Sequence, residues 1–549
     1  MTHLFARAAL VAAIALIVAA CGSTESSAPA GAMADMAPAP TRSGALMAQE
    51  ALGEEPPRTD REGYAPLDET GFVTPQAAAF STFSIDVDRA SYANVRRMLI
   101  QESRLPPADA VRIEEFVNAF EYGLDAPEAS GGHPFAVETE VARAPWAPNH
   151  HLVRIAMQAQ RMETEDLPPL NLVFLLDTSG SMNSYNKLGL LKQGLALLTN
   201  NMRPQDRVAI VAYAGSAGLV LPSTSDRGEI LDALDRLQAG GSTAGGAGLR
   251  LAYATARESF SPEATNRVIL ATDGDFNVGV SSDAEMQRLI EEERASGVFL
   301  SVLGFGSGNL QDSKMETLAD HGNGNYAYID SIREAEKVLV REMGGTLVPL
   351  AKDLKVQVEF NPAHVAAYRL IGYENRRLRD EEFNDDTRDA GELGAGHSVT
   401  AIYEIVPVGQ PIPDGSTVDA PRYQRTTPEA TSGELMTVKF RYKPPTGAGT
   451  FADQSVRLDR VVRAESVRDL REASEAMRWA VAVTEGAMLL RQTAYAPGAS
   501  YDHAIDLASG ARGQDPHGDR AEFVSLLRTA RALTDARGVQ QPRASTIAD

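Results

Sequence analysis

Asp177, Ser179 and Ser181 alternate through the run Asp177-Thr178-Ser179-Gly180-Ser181, directly after the apolar residues Leu172 to Leu176. A carboxylate and two hydroxyls at this spacing, folded into one tight turn, offer hard oxygen donors to a single ion, with Gly180 giving the backbone its freedom to turn. Magnesium and its relatives take oxygen ligands in octahedral geometry and keep several waters, so such a set leaves coordination open to a further ligand. Two later stretches extend the donors: Gly240 to Gly246 carries Thr243 in a glycine-rich loop, and Thr272-Asp273-Gly274-Asp275 carries Asp273 at the end of another apolar run. Asp275 reads either as a loop residue or as a carboxylate standing behind the ligands. One short Ser/Gly/Asp string is a common turn; the ordered set Asp177, Ser179, Ser181, Thr243 and Asp273 is far more specific.

The elements that must position these residues alternate in type. Leu172 to Leu176 predicts a central parallel strand buried on both faces. A helix over about Lys187 to Asn200 follows, then a strand at Val208 to Tyr213, helices near Gly228 to Leu237 and Ala247 to Arg257, and a strand at Val268 to Thr272. A helix at about Ala284 to Ala295, a strand at Val298 to Leu303, a short helix near Met315, a strand at Tyr326 to Ile329 and a helix from Ile332 to Glu342 complete the pattern. It predicts a doubly wound, Rossmann-like α/β fold. Ligands of such sheets bind beyond the carboxyl ends of the strands, where all three donor loops are expected to emerge.

The order and placement of Asp177, Ser179, Ser181, Thr243 and Asp273 resemble the metal-ion-dependent adhesion site of the von Willebrand factor type A (VWA) family. Asp177 to Met182, Ala271 to Val280 and Leu303 to Gly308 are similar to further landmarks of that family. The flanks resemble the bacterial YfbK-like lipoproteins, through Phe83 to Asn94, Leu105 to Phe120, Asn361 to Asn375, Phe383 to Asp386, Asp389 to Glu392 and Gly394 to His397. The resemblance implies that the Ser and Thr hydroxyls bind one divalent cation directly and the aspartates directly or through water. Mg2+ is expected, with Mn2+ and Ca2+ as alternatives. It also implies recognition rather than turnover, with a protein partner's Glu or Asp completing the coordination shell.

Around the α/β segment the pattern changes. Phe83 to Val87 alternates like a strand, Asp88 stands where an N-cap belongs, and helices follow at about Ala90 to Glu102 and from Val111 to Phe120. Asp86 with Asp88 is also weighed as a second cation site, the cap being the blander reading. Strand-like runs lie at Pro134 to Gln160 and, beyond Gly345, at Leu354 to Phe360, Val399 to Ile405 and Met436 to Tyr442. Flanking β-rich blocks predict a sandwich-type domain into which the VWA unit is inserted. Helical segments at about Glu465 to Gln492 and Asp519 to Ala536 close the chain, with Trp479 expected in the core. The expected divisions are 1–20 leader, 21–75 disordered tether, 76–165 strand/helix module, 168–345 VWA domain, 346–464 β-rich domain and 465–549 helical region.

Arg7, the apolar run Ala8 to Ala20 and the tetrapeptide Val18-Ala19-Ala20-Cys21 have the pattern of a secretory leader. The single cysteine at the cut resembles a lipobox, which implies lipidation of Cys21 and anchoring in the cell envelope by lipid alone; Gly22 after it implies the outer membrane. Over 549 residues the formal charge is -22, which argues against nucleic-acid binding, since phosphate recognition draws on Lys and Arg. One thiol excludes an intramolecular disulfide or a thiolate zinc site. Three rival readings remain. A hydrolase using Ser179, Ser181 or Ser242 lacks the G-x-S-x-G elbow; phosphate binding by Gly240 to Gly246 lacks the P-loop Lys; and the metal site of a purely structural envelope protein is vestigial. His150-His151 reads as a surface pair on a strand, and Asp380 to Glu382 with Asp385-Asp386 as a solvated loop or a calcium site.

Overall fold

The computed structural model describes residues 61–538 apart from 86–87, 128–131, 244, 275, 277–282, 343–346, 414, 416–432 and 448–449. Cys21, the leader, the tether up to residue 60, Asp86 and Asp275 lie outside those residues.

Residues 61–75, expected as the end of a disordered tether, are instead docked. The Arg61 N–H donates to the Gly308 carbonyl at 3.0 Å, the Gly63 N–H to Leu310 at 2.8 Å, and the Asp312 N–H back to Gly63 at 3.1 Å. The buried Glu62 carboxylate accepts from the Gly308 N–H at 3.0 Å and from Arg97 at 2.9 Å. Val73 pairs with Tyr368. Phe72 is buried with Ala367 and Val406, but it is a single aromatic anchor among backbone and acid contacts, so no apolar periodicity announces the docking.

The first regular elements are β1 (Phe80–Ser84), α1 (Ala90–Ile100), α2 (Ile113–Val117), β2 (Phe135–Arg143) and β3 (His151–Ala159). Asp88 does not cap α1: its carboxylate accepts from the Tyr326 N–H at 2.7 Å and from Arg376 at 3.1 Å, tying the helix entry to distant strands. The histidine pair is not a surface pair. His150 precedes β3 rather than lying on it, so strand alternation does not govern it, and its ring is buried against Glu404.

The central unit runs β4 (Leu170–Asp177), α3 (Leu190–Asn201), β5 (Arg207–Tyr213), β6 (Ala217–Thr224), α4 (Arg227–Arg236), α5 (Gly245–Glu258), β7 (Thr265–Thr272), α6 (Asp283–Ala295), β8 (Val298–Phe305), α7 (Asp312–His321), β9 (Tyr326–Ile329) and α8 (Ile332–Glu336). They form a six-stranded sheet in the order β6-β5-β4-β7-β8-β9. Only β6, on the edge, is antiparallel. Every residue of β4, β7 and β8 is buried, as strands covered by helices on both faces require. Leu172, Phe174 and Leu176 face one helical layer, and Val173 and Leu175 face the other.

After this unit come β10 (Pro349–Phe360), β11 (Val365–Ile371), β12 (Arg377–Leu378), β13 (Gly391–Gly394), β14 (Ser398–Pro407), β15 (Glu434–Lys443), the small pair β16 (Pro445–Gly447) and β17 (Thr450–Phe451), then β18 (Val456–Arg463) and β19 (Val467–Arg468). Apart from the pair β16 and β17, they join β1, β2 and β3 in two sheets, β12-β1-β10-β15-β18 with β13 on β10, and β11-β14-β3-β2-β19. The α/β unit is therefore inserted into a sandwich whose strands come from both sides of it. Phe83, Val356, Val358, Tyr403 and Val153 pack between the two sheets.

Helices α9 (Glu475–Arg491), α10 (Tyr501–Gly510) and α11 (Asp519–Ala536) pack with α1 and α2 into a further core. Trp479, 0% exposed, meets Phe120 and Phe523 edge to face at 5.2 and 5.7 Å. Among the described residues no helix is long and apolar enough to cross a membrane.

At the junction of α2 with the sandwich, Glu114 is buried beside Glu374, which pairs with Arg491 at 3.0 Å. Burial first, then the neighbouring carboxylates of Glu374 and Glu115, push the Glu114 pKa up to about 8. A carboxyl whose folded pKa is raised stabilises the fold fully below its ordinary pKa and loses that contribution as pH climbs to the folded value. Stability is thus expected to fall between pH 5 and 8 by an amount on the order of 1–3 kcal/mol that Glu114→Gln removes. Urea unfolding of both proteins at the two pH values checks this, and parallel pH profiles reject it.

Candidate metal centre

The carboxyl edge of the central sheet collects the predicted donors. β4 ends at Asp177, level with Tyr213 of β5, and the neighbouring β7 ends at Thr272, one residue before Asp273. Asp177 and Asp273 are both 0% exposed and Ser179 is 2% exposed. The Asp177 carboxylate closes its own turn: Oδ1 accepts from the Ser179 N–H at 2.8 Å, and Oδ2 accepts from the Thr272 hydroxyl at 3.1 Å. That turn brings Ser179 Oγ within 2.9 Å of Ser181 Oγ.

The glycine-rich loop is laced to this turn through backbone. Gly180 N–H donates to the Gly241 carbonyl at 3.0 Å, and Gly240 N–H to the Thr178 carbonyl at 2.8 Å. Thr243 follows two residues beyond Gly241 and is half-buried, while Ser181 is exposed. Ser181 and Thr243 thus lie toward solvent, while Ser179 and the two carboxylates are buried. The turn itself does not use Gly180 for a left-handed conformation; Gly241 (φ +85°) and Gly274 (φ +106°) are among the left-handed glycines at this edge. Gly274 allows the loop after β7 to touch the loop after β8, since a Cβ there would meet the Asn309 carbonyl oxygen at 2.5 Å.

Two ionisable carboxylates at one buried edge repel. Burial raises the Asp177 pKa, against the lowering effect of the Ser179 hydrogen bonds, and the charge of Asp273 adds to the rise. Two buried carboxylates and a cluster of hydroxyls fit a hard cation by both charge and donor type. The sequence reading missed Lys187, whose ammonium donates to Asp273 Oδ2 at 2.8 Å and to Asn309 Oδ1 at 3.2 Å. No spacing rule signals it, because the three residues come from different loops. The described histidines with polar side-chain partners pair elsewhere: His150 with Glu404, His321 with Glu291, His503 with Glu485 and His133 with Tyr442. Among the described residues no group of three or more His, Cys, Asp or Glu is arranged to hold a metal. The acidic stretch 380–386 instead has Asp386 held by Arg441 at 3.0 Å and Asp380 by the Thr82 hydroxyl at 2.7 Å.

This sheet, with its hydroxyl-bearing loop at the end of the central strand, defines a von Willebrand factor type A domain. Residues 172–275 match the family model described as von Willebrand factor type A domain, residues 58–154 one described as von Willebrand factor, and residues 345–533 one described as Uncharacterized protein YfbK, C-terminal. Uncharacterized protein YfbK of Escherichia coli (strain K12) is 44% identical over 465 residues, 83% of this chain and 78% of that protein. The chain belongs to the YfbK family. Inter-alpha-trypsin inhibitor heavy chain H3 of Homo sapiens is 29% identical over 261 residues, 43% of this chain and 28% of that protein. A solved structure of von Willebrand factor type A from Catenulispora acidiphila is similar at 18% identity and a TM-score of 0.40, covering 73% of this chain and 91% of that one.

The upward shift of Asp177 has a sign for stability: its anion is held less well in the folded protein than in the unfolded chain, so metal-free stability falls as pH rises past the ordinary carboxylate range. Asp177→Asn is expected to raise the Tm of the chelator-treated protein at pH 7. Scanning calorimetry reads this; a lower Tm for the variant contradicts it.

Proposed function

We propose that the chain is a cell-envelope lipoprotein, anchored through Cys21 and directed to the outer membrane, whose VWA domain captures a protein partner through a divalent cation. Ser179, Ser181 and Thr243 would hold the ion through their hydroxyls, and Asp177 and Asp273 through their carboxylates, directly or through water. Bound there, the ion supplies a Lewis-acidic position for a partner's Glu or Asp. Mg2+ is the proposed resident, Mn2+ and Ca2+ being the alternatives the same oxygen donors accept.

One observation carries the reading: the Asp177 carboxylate organises a turn that sets Ser179 Oγ and Ser181 Oγ 2.9 Å apart at the carboxyl edge of the sheet. The protein's own residues orient the donors before any partner arrives, and the loop of Thr243 is fixed to the same turn through Gly180 and Gly241. The exposure of Ser181 leaves the approach open on the hydroxyl side. Recognition is favoured over a nucleophilic serine because Ser179 and Ser181 bond to each other rather than to an imidazole. VWA-family membership is consistent with a role in adhesion or protein interaction.

Calorimetry of the mature protein with Mg2+ and Mn2+ is expected to show uptake of one ion. Asp177→Ala and Ser179→Ala should each weaken it by at least tenfold while circular dichroism stays unchanged, the loss of one charged or hydroxyl ligand being worth roughly 1.4 kcal/mol or more. Capture of envelope proteins by the wild type should be lost on adding chelator and absent with Asp273→Ala. Undiminished uptake and capture by these variants sinks the proposal.

A further inference from the structure

Lys187 is built into the site, and its role differs from that of a ligand. It lies on the turn Tyr185–Gly189 that follows the hydroxyl loop and leads into α3, and it is 8% exposed. Its stem runs through a notch at the end of β8: a Cβ on Gly306 would meet Lys187 Cε at 2.2 Å and Cγ at 2.5 Å, and Gly306 has φ +72°. The notch delivers the ammonium to Asp273 Oδ2 at 2.8 Å, with Asn309 Oδ1 at 3.2 Å as its second acceptor. Asp273 is fully buried, so the pair meets where water screens little.

We infer that Lys187 is a tethered competitor for the divalent cation. A charge-assisted bond to one Asp273 oxygen draws electron density that an ion would otherwise receive, and a fixed positive charge beside the site repels a second one. The ammonium therefore lowers the intrinsic affinity for the ion. It also leaves a bound ion short of negative charge, so that a partner's carboxylate gains more by joining it. Ion retention and partner capture then reinforce each other, as reciprocal coupling of two ligands requires. The inference rests on the proposed metal reading.

The test is Mn2+ binding to the full mature chain, read by calorimetry and by the Mn2+-induced rise in Tm. Lys187→Met keeps the stem and removes the charge, and it is expected to bind Mn2+ tighter than the wild type by roughly tenfold, the size of one charge-assisted hydrogen bond. Because that variant takes the ammonium away from the buried Asp273, Asn309→Ala provides a milder arm: it removes one acceptor and leaves the ammonium on the carboxylate. The ammonium, no longer shared, bears more fully on Asp273, so Mn2+ binding by this variant is expected to weaken slightly. Lys187→Arg, which retains the charge, should stay close to the wild type. Mn2+ binding by Lys187→Met that equals or falls below the wild type's, or tighter binding by Asn309→Ala, overturns the inference and makes Lys187 a positioning residue, while the wild-type uptake that supports the metal reading stands. Uptake by Lys187→Met with none by the wild type supports the inference, with the ammonium as the stronger occupant. No uptake by any of the proteins overturns both readings.

Discussion

Two carboxylates held out of water at the carboxyl edge of one sheet form the constraint around which the rest is arranged. Asp177 and Asp273 are both fully buried, and neither gains that position cheaply, because a buried anion demands hydrogen bonds or an opposite charge. The protein answers with the Ser179 N–H and the Thr272 hydroxyl on one aspartate and with Lys187 on the other. The hydroxyls of Ser179 and Ser181 are by-products of the turn that satisfies Asp177. Strands β4 and β7 must be adjacent and parallel for this to occur, and their residue-by-residue register from Leu170 to Leu176 makes them so.

The insertion of the α/β unit between β3 and β10 gives this edge a rigid support. The chain leaves the sandwich on the strand pairing β3 with β14 and returns on β10, so both ends of the unit are held by sheets. Ion pairs join the parts: Arg96 of α1 reaches Glu334 of α8 at 2.8 Å and Glu522 of α11 at 2.9 Å. Arg376, after β11, reaches Glu316 of α7 at 2.8 Å. Breaking such buried pairs is costly, whereas forming them adds little net stability, so their contribution is to fix orientation.

What could be read from the residues follows the physics of burial. β4, β7 and β8 were legible because strands covered on both faces become continuous apolar runs, and Asp177 and Asp273 stood out as acids at their ends. β6 was not legible: Gly218 and Pro222 interrupt it, a composition tolerated because it lies on the sheet edge. Asp88 resembled a helix cap locally, yet its partners Tyr326 and Arg376 are remote in sequence. His150 was misjudged for the same reason, since the buried Glu404 that draws it inward is set by the pairing of β3 with β14. Lys187 shows the general case, a side chain given meaning by loops that only the fold brings together.

The clasp of Arg61, Glu62 and Gly63 on the loop Gly308 to Gln311 places the chain's entry beside the rim that also carries Asn309. The segment 61–63 therefore braces the same loop that supports the Lys187 ammonium.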